Sequence, residues 1–251
     1  MNYFVTDLDK TIIYPKEGNN RCVEYKEGKP YTFMTEKSFM LLNKILEKAI
    51  FVPCTMRTLN QVQRIDFINS YKPKFMICVN GAEIYIDGKL DIKWDTYIRE
   101  HFKKDEIKLL CKKFISLSLK LNIERVINMA DFYTTLIFKE ENDALLALSK
   151  VKKIAIDNYV IVRQGRNIFI IKEWLNKAYA LDYLKKKYNF ENIYSSGDSY
   201  YDAKFTGLDY VYSIIPKHAA FRHKNSPVTK EEGIKAGEEI LEYVLDKINK
   251  K

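Results

Sequence analysis

Short apolar runs alternate with amphipathic stretches through the first third of the chain. Short, continuous apolar runs are typical of strands that are buried on both faces. The stretches between them repeat apolar residues at helical spacing, and Thr35 is placed to cap the first of these helices. The pattern places strands at 2–6, 50–55 and 75–79 and helices at 36–48 and 59–68. This alternation of strand and helix predicts a parallel sheet covered by helices.

Turn-forming residues dominate the segment 12–34, between the first strand and the first helix. They include Pro15, Gly18, Gly28 and Pro30. Such residues favour turns over regular elements, and the sequence around 26–29 is typical of a tight hairpin. We therefore expect an irregular excursion here that contains a small hairpin.

The pattern changes near Glu83. Apolar runs at 83–86 and 90–92 flank Asp87 and Gly88, a turn pair that predicts a β-hairpin. Helices and strands that look antiparallel then follow. They are expected at 104–121 and 142–155 for the helices and at 123–129, 133–138, 159–163 and 167–171 for the strands. This α+β character interrupts the parallel pattern and indicates an inserted domain.

The alternation of helix and strand resumes near residue 172. Helices are expected at 176–187, just after Asp198 and at 231–248, with strands at 192–196 and 210–214. We therefore predict an α/β protein with a Rossmann-like parallel-sheet core, interrupted by an α+β cap domain. The predicted core comprises residues 1–82 and 172–251, and the predicted cap comprises residues 83–171.

The charge of the chain favours anionic partners. The chain has 251 residues, and 42 basic against 33 acidic side chains give a formal net charge of +9. Its basic residues are spread out, and the tightest runs, Lys112–Lys113 and Lys185–Lys187, fall at or near the ends of helices, where cations are favoured. A positive surface is compatible with nucleic acid, anionic lipid or a small phosphorylated metabolite, and this distribution argues against nucleic acid.

The positions of the cysteines, histidines and apolar residues bear on metal binding and on the cellular location of the protein. The four cysteines have no CxxC spacing and are expected to be free thiols, and the pair His218 and His223 is a weak metal signal. The start of the chain lacks the pattern of a secretory signal. No apolar stretch reaches the roughly 18 residues that span a bilayer. We expect a cytoplasmic protein without a membrane anchor.

Two carboxylates follow the first strand, in the sequence Asp7-Leu8-Asp9-Lys10-Thr11. In an extended chain, side chains two residues apart lie on the same side. If the chain turns here, both carboxylates can face one reacting centre. One can then act as a nucleophile and the other as a proton donor, although an acidic surface turn would give the same pattern.

A hydroxyl group follows the second strand of the predicted core. Thr55 lies where this strand ends and a helix region begins, and such positions offer free backbone N–H groups to a phosphoryl oxygen. A helix-capping role for Thr55 is the simpler alternative. Arg57 is either a substrate contact or a partner in a surface salt bridge.

A lysine lies near the start of a predicted helix. Lys177 opens the helix at 176–187, where the helix dipole disfavours a cation. Nearby carboxylates would compensate. Lys172, at the end of the preceding apolar run, is the rival candidate, and we favour Lys177.

The fourth segment is Gly197-Asp198-Ser199-Tyr200-Tyr201-Asp202, directly after a predicted strand. Its two carboxylates are hard oxygen ligands of the kind that Mg²⁺ prefers. Capping of the following helix by Asp198 and compensation of its dipole by Asp202 are the alternative roles.

Taken in order, the four segments resemble the motifs of the haloacid dehalogenase superfamily of phosphatases. Asp7–Thr11 resembles its DxDxT motif, Thr55 its strand-terminal Ser or Thr, Lys177 its lysine, and Asp198 with Asp202 its GDxxxD motif. Asn80-Gly81-Ala82 resembles a segment of the branch with Cof-type and sucrose-phosphate phosphatase-like members, in which a C2-type cap follows the second motif. Lys10 departs from the Gly common at its position, which is not catalytic.

The resemblance implies a role for the two carboxylates of the first motif. Asp7 would attack phosphorus and carry an aspartyl-phosphate, while Asp9 would protonate the leaving alcohol and later activate water. Mg²⁺ would be held by Asp7 and Asp198, by the backbone carbonyl of Asp9 and, directly or through water, by Asp202.

The resemblance also implies how substrate is held. Thr55 and Lys177 would bind the phosphoryl oxygens, Asp202 would orient Lys177, and Arg57 is a further candidate for binding substrate. The inserted domain would act as a lid that selects the substrate, with Arg163 and Arg166 as candidate contacts.

Three functions are compatible with the sequence. The first is a phosphatase for small phosphate monoesters, with sugar phosphates as the expected class. The second is a phosphotransferase of the phosphomannomutase kind, which resembles the same branch. The third is a non-enzymatic binding or regulatory module on the same fold. The presence of both Asp7 and Asp9 argues against this third function.

Overall fold

A computed structural model gives the structure of the protein for residues 1–15, 18–103, 105–155 and 158–250. Lys104, where the sequence predicts the start of a helix, lies outside the described residues. So do Lys16 and Glu17 of the predicted excursion, and Ile156 and Asp157. The chain forms two compact units, one made of Met1–Ile92 with Asn176–Lys251 and the other of Lys93–Leu175.

The elements follow one another in the order that the sequence pattern suggests. Before the insertion they are β1 Asn2–Thr6, β2 Arg21–Lys26, β3 Lys29–Met34, α1 Glu36–Leu46, β4 Ile50–Pro53, α2 Leu59–Val62, α3 Asp66–Tyr71, β5 Phe75–Cys78, β6 Glu83–Ile86 and β7 Lys89–Leu90. The second unit opens with α4 Ile92–Glu100, a helix that the sequence pattern did not predict. The second unit continues with α5 Glu106–Ser116, α6 Ser118–Leu121, β8 Ile123–Met129, β9 Tyr133–Phe138, α7 Glu141–Ile154, β10 Tyr159–Gln164 and β11 Asn167–Lys172. The chain ends with α8 Lys177–Tyr188, β12 Asn192–Ser196, α9 Ala203–Thr206, β13 Val211–Ser213 and α10 Gly233–Asn249.

A parallel sheet forms the core of the first unit and confirms the predicted α/β class. Its strand order is β13-β12-β1-β4, and β1 pairs in parallel with both β4 and β12. Helices cover both faces. Tyr3 stacks on Phe190, just beyond α8, whereas Tyr194 on the opposite face donates a hydrogen bond to Lys247 in α10. The sheet is therefore buried on both sides, which explains the continuous apolar runs.

The hairpin at residues 83–90 belongs to the first unit, and the predicted boundary at residue 83 is wrong. β6 pairs antiparallel with β5, and β7 pairs with β6. Three successive residues with left-handed backbone, Val79, Asn80 and Gly81, reverse the chain and return it along β5. The boundary lies after Ile92 for this reason. The second boundary likewise lies after Leu175, four residues beyond the prediction at 171.

The predicted helix at 59–68 is two helices, α2 and α3. Ile65 lies between them with extended backbone (φ −80°, ψ 118°) and pairs with Glu24 of β2 in an isolated antiparallel bridge. A helix cannot continue through a residue that is paired as a strand. The hairpin of β2 and β3, which supplies Glu24, turns between Lys26 and Lys29 as predicted.

The second unit has the α+β character expected for the middle of the chain. Four antiparallel strands in the order β10-β11-β9-β8 form its sheet. Helices α5, α6 and α7 bury apolar side chains against the sheet, and Phe114, Leu121 and Val151 of these helices share one core with Leu136 of β9 and Ile170 of β11. None of the described helices is both long and apolar enough to cross a membrane.

The turn after β5 should be sensitive to an added methyl group at Gly81. This residue has φ +93°, and a Cβ on it would lie 2.6 Å from the carbonyl oxygen of Asn176. Left-handed strain and overpacking together predict that Gly81→Ala lowers the free energy of unfolding by about 3 kcal/mol. Urea denaturation of the purified variant measures this loss.

Gly88→Ala is the matched control. Gly88 also has a positive φ of 74°, but a Cβ there would meet nothing within 4 Å. The control should therefore lose only the backbone term, about 1–2 kcal/mol. Equal losses in the two variants would contradict the argument that Gly81 is required for close packing on Asn176.

Candidate active site

The carboxyl ends of the core strands bring three of the predicted motifs together. The Asp7 N–H donates to the carbonyl of Ser196 at the end of β12 (3.0 Å), and the Cys54 N–H donates to that of Thr6 at the end of β1 (2.8 Å). The residues that follow β1, β4 and β12 therefore leave the sheet at one edge. Ligands of open parallel sheets bind at this edge.

Lys177 is completely buried and lies between two carboxylates. Its Nζ atom is 2.7 Å from Oδ1 of Asp7 and 2.6 Å from Oδ1 of Asp202. Asn176 caps helix α8 by accepting hydrogen bonds from two backbone N–H groups, so the helix starts at Lys177. Burial alone would lower the pKa of Lys177, but the charges of Asp202 and Asp7 outweigh burial and raise it. The lysine is thus a fixed cation.

Asp198 completes a group of three buried carboxylates. Asp7, Asp198 and Asp202 each place a carboxylate oxygen within 4.8 Å of the others. Burial raises the pKa of Asp198 well above its ordinary value, and the charges of Asp7 and Asp202 raise it further. Burial also raises the pKa of Asp7, to about 7, against the opposing effect of Lys177. Three hard oxygen donors that repel one another fit a divalent cation such as Mg²⁺.

Asp202 has both carboxylate oxygens engaged. Oδ1 binds Lys177, while Oδ2 accepts hydrogen bonds from the backbone N–H (2.8 Å) and the hydroxyl (2.7 Å) of Ser199. A Cβ on Gly197 would lie 2.4 Å from the Cβ of Asp202, so only glycine allows this approach. Among the three carboxylates, Asp202 is the one best placed to orient Lys177.

Thr11 and Thr55 add hydroxyl groups to this edge of the sheet. Thr11 donates weakly to Asp7 and Asp198, at 3.4 Å from each carboxylate. Thr55 is buried, and its hydroxyl accepts a hydrogen bond from the backbone N–H of Arg57 (3.2 Å). The capping alternative for Thr55 is wrong, because α2 begins at Leu59 and its N-cap is Thr58. The hydroxyl of Thr55 can still donate its proton to an acceptor.

Asp9 is held by Arg57, and the sequence pattern did not predict this contact. Arg57 donates from Nε and from Nη2 to the two oxygens of Asp9, at 2.7 Å each. Its remaining amino group, Nη1, donates to Glu24 (2.8 Å). Arg57 was predicted to contact substrate or to form a surface salt bridge. In the structure it is a buried cation between two carboxylates, and burial, which lowers its pKa, is outweighed by Asp9 and Glu24, which raise it.

The sequence pattern does not predict that Glu24 is buried or that it lies near the site. Strand alternation would place neighbouring Val23 and Glu24 on opposite faces of β2, yet both are buried. The register of β2 against β3 shifts on both sides of Glu24, so a β-bulge turns the glutamate inward. A bulge of this kind is not visible in hydrophobic periodicity.

The other candidate residues bind elsewhere. Lys172 pairs with Glu106 at 2.6 Å, within the second unit. Arg163 lies 3.9 Å from Glu141, and Arg166 lies 3.1 Å from Glu124, in the same unit. Among the described residues, the cluster that could hold a metal ion contains neither His218 nor His223.

A loop near the end of the chain is hydrogen-bonded to both loops that carry the predicted acidic motifs. His218 lies 2.8 Å from the carbonyl of Lys10 through Nε2, and its Nδ1 accepts from the N–H of Gly233 (3.2 Å), so Nε2 carries the proton. The N–H of Ala220 donates to the carbonyl of Asp198 (2.7 Å). Lys10 has a left-handed backbone, with φ 57°, a conformation that Gly adopts more readily than Lys does.

Comparison with known proteins identifies a family. The family model for sucrose-6F-phosphate phosphohydrolase matches residues 2–248. A probable sucrose-phosphatase 3b of Arabidopsis thaliana is 25% identical over 228 residues, which cover 84% of this chain and 49% of that protein. The chain thus spans about half the length of this curated relative.

Solved structures share the fold. A sucrose-phosphatase from Synechocystis, in complex with sucrose and phosphate, is 14% identical with a TM-score of 0.63, covering 96% of this chain and 97% of that chain. A trehalose-6-phosphate phosphatase related protein is 16% identical with a TM-score of 0.63, covering 99% and 100%. A HAD/COF-like hydrolase from Plasmodium vivax is 14% identical with a TM-score of 0.65, covering 99% and 95%.

The family model covers nearly the whole chain, and the structural neighbours have the predicted fold. The resemblance drawn from the four motifs is confirmed. The chain belongs to the sucrose-6F-phosphate phosphohydrolase family, and its fold is that of the solved HAD/COF-like hydrolase and sucrose-phosphatase structures.

Proposed function

We propose that the protein is a magnesium-dependent phosphatase that hydrolyses sugar phosphate monoesters through an aspartyl-phosphate on Asp7. The observation that carries this proposal is the buried ammonium group of Lys177 between Asp7 and Asp202, with Asp198 in the same carboxylate cluster. A site with this charge arrangement suits the binding of a phosphoryl group next to a nucleophilic carboxylate.

The proposed substrate class rests on the family. The matching family model describes a sucrose-6F-phosphate phosphohydrolase, and the Synechocystis relative binds sucrose and phosphate. The net charge of +9 also favours a phosphorylated substrate. A small sugar phosphate is therefore the proposed substrate, and release of inorganic phosphate from such esters is the direct assay.

Asp7 is the proposed nucleophile. One of its oxygens binds Lys177, and the other lies 3.4 Å from the hydroxyl of Thr11. A carboxylate oxygen of Asp7 attacks phosphorus, the bond from phosphorus to the ester oxygen breaks, and the phosphoryl group is transferred to Asp7. Attack by water on this phosphorus then returns the Asp7 carboxylate and releases phosphate.

Asp9 is the proposed acid and base. Its side chain is 49% exposed, so a substrate oxygen and later a water molecule can reach it. Asp9 gives a proton to the departing ester oxygen in the first half of the reaction. It takes a proton from the attacking water in the second half, so that its protonation state is restored after each turnover.

Lys177 and Thr55 are the proposed phosphoryl-binding groups. Lys177 brings a positive charge that Asp202 holds in place, since Asp202 is itself fixed by Ser199. The Thr55 hydroxyl can donate a hydrogen bond to a phosphoryl oxygen while it accepts from the N–H of Arg57. The side chains of Asp7 and Asp198 and the backbone carbonyl of Asp9 would hold Mg²⁺, with Asp202 orienting Lys177. When bound, the ion would neutralise negative charge as one anion approaches another.

The inserted unit, residues 93–175, is proposed to act as a cap that selects the substrate. Its insertion between the second and third motifs is the arrangement of the branch that the sequence resembles. Arg163 and Arg166 both lie near acidic side chains of their own unit, which weakens the earlier hypothesis that they contact the leaving group.

Removal of divalent cations should abolish the activity. The three carboxylates at the site carry more negative charge than Lys177 can balance, so turnover should require a bound cation. Hydrolysis of p-nitrophenyl phosphate is measured after treatment with EDTA and again after addition of excess Mg²⁺. Activity should be lost and then restored. Full turnover in the chelator would refute the proposed metal dependence.

Substitution of the two carboxylates of the first motif should have different results. Asp7→Asn removes the nucleophile and should leave no detectable turnover. Asp9→Asn removes an acid–base group that is typically worth about 10²–10⁴-fold, so a residual rate should remain with a good leaving group. Because Asp9 also activates water, Asp9→Asn should accumulate a phosphoenzyme, which mass spectrometry after acid quench locates. Phosphate on a residue other than Asp7 would show that the nucleophile is misassigned.

Lys177→Gln and Lys172→Gln form a matched pair. Each variant removes one ammonium group, but only Lys177 contacts Asp7, whereas Lys172 pairs with Glu106. Loss of a charged transition-state contact is worth about 10²–10³-fold in turnover. We expect a loss of that size for Lys177→Gln and activity within about threefold of the native protein for Lys172→Gln. Circular dichroism checks that both variants fold, and the opposite ranking would favour Lys172.

A further inference from the structure

Glu24 is a charged side chain with no exposed surface. Its carboxylate accepts hydrogen bonds from Arg57 (2.8 Å), from the Nε of Arg64 (3.0 Å) and from the hydroxyl of Thr32 (3.0 Å). A buried carboxylate is tolerated when donors of this kind surround it. Glu24 is therefore rigidly held, although it lies on a small hairpin outside the core sheet.

Arg57 connects this anchor to the proposed acid–base residue. Its side chain is 9% exposed, and three of its nitrogen atoms are used, two on Asp9 and one on Glu24. A planar guanidinium group with two partners fixed in its plane cannot rotate without breaking a charge-assisted bond. The position of Glu24 therefore determines the orientation in which Arg57 presents its donors to Asp9.

Asp9 depends on Arg57 for its position. Its side chain is half exposed, and within the described part of the chain both hydrogen bonds to its carboxylate come from Arg57. Asp7 differs, because it is buried and is held by Lys177. A half-exposed carboxylate without such a support would sample several rotamers, and a group placed about 1 Å away can lose about 10²-fold in rate.

Fold stability alone does not account for the Glu24 network. Replacing a buried ion pair by apolar side chains is often neutral or stabilising. The bulge in β2 that turns Glu24 inward also interrupts strand pairing. We propose that Glu24 is a positioning residue that acts on Asp9 through Arg57 and so supports departure of the leaving group. This inference rests on the proposed function and assigns Arg57 to Asp9 instead of to the substrate.

The test compares two esters whose leaving groups differ in their need for a proton. Phenolate is a poorer leaving group than p-nitrophenolate, so phenyl phosphate requires more help from a general acid than p-nitrophenyl phosphate does. The ratio of kcat/KM for the two esters isolates this help, because kcat/KM covers the steps up to loss of the first product. With the Mg²⁺-supplied enzyme, Glu24→Gln should lower kcat/KM for phenyl phosphate at least about tenfold more than for p-nitrophenyl phosphate.

Asp91→Asn is the matched control. Asp91 is another buried carboxylate of the first unit, bound to Lys187 (2.7 Å) and to Tyr183 (2.9 Å), and neither of these partners is a proposed catalytic residue. Its substitution removes the same charge and should change the two esters equally. If Glu24→Gln also lowers kcat/KM equally for both esters, or leaves it unchanged, Glu24 is only structural and the inference is overturned.

A double substitution tests whether Glu24 acts through Asp9. In a protein that already carries Asp9→Asn, adding Glu24→Gln should not change the ratio of the two esters further. An additional change of the same size would place the effect outside Asp9 and overturn the inference. If Asp9→Asn alone does not change the ratio, the proposed role of Asp9 fails, and the inference fails with it. That result is distinguishable from failure of Glu24→Gln alone.

Arg57→Lys gives an independent measurement if Glu24→Gln does not fold. Lysine keeps the charge but cannot bind both oxygens of Asp9 and Glu24 at the same time. As with Glu24→Gln, kcat/KM should fall more for phenyl phosphate than for p-nitrophenyl phosphate, while Asp91→Asn again defines the effect of a lost buried pair. An unchanged ratio in Arg57→Lys would overturn the inference.

Discussion

The buried ammonium group of Lys177 is the constraint on which the site depends. It has no exposed surface, and it binds Asp7 and Asp202 at 2.7 and 2.6 Å. An unpaired charge in this position would cost several kcal/mol, so the first strand, helix α8 and the loop after β12 must meet at this point. The two carboxylates and the lysine come from segments before and after the inserted unit. The pairing therefore links both ends of the chain into one core and defines its active edge.

The same cluster explains why the proposed mechanism would need a further cation at this site. Lys177 balances one of the three carboxylates, and the pKa values of Asp7 and Asp198 are raised because burial and mutual repulsion disfavour their charged forms. A divalent cation and protons would therefore compete for the same oxygens, and binding of the cation would release protons. This competition arises because the carboxylates are buried. Asp202 is less available to a cation, because Ser199 donates two hydrogen bonds to one of its oxygens.

The sequence predicted what is local or periodic and missed what depends on packing. The strands β1, β4, β5 and β12 and the residues that follow them were found because buried runs and terminal carboxylates are local signals. The break of the helix near Ile65 was missed, since it arises from a bridge to Glu24, a residue distant in sequence. The domain boundary at residue 83 was wrong because left-handed backbone at Val79 is not visible in composition. For Arg57, the sequence showed a cation near the site but not its partners.

The two carboxylates of the first motif are supported in different ways. Asp7 is fixed by the core, through a buried lysine whose loss would disturb the sheet edge itself. Asp9 is fixed through Arg57 by Glu24 of a peripheral hairpin. Under the proposed mechanism, changes in the hairpin would therefore alter leaving-group chemistry without altering the nucleophile or the parallel sheet. Nucleophilic attack is the step common to all phosphate monoesters, whereas protonation depends on the alcohol that leaves. Because the β2–β3 hairpin, and not the core sheet, would support protonation of the leaving group, one core could serve substrates with different alcohols.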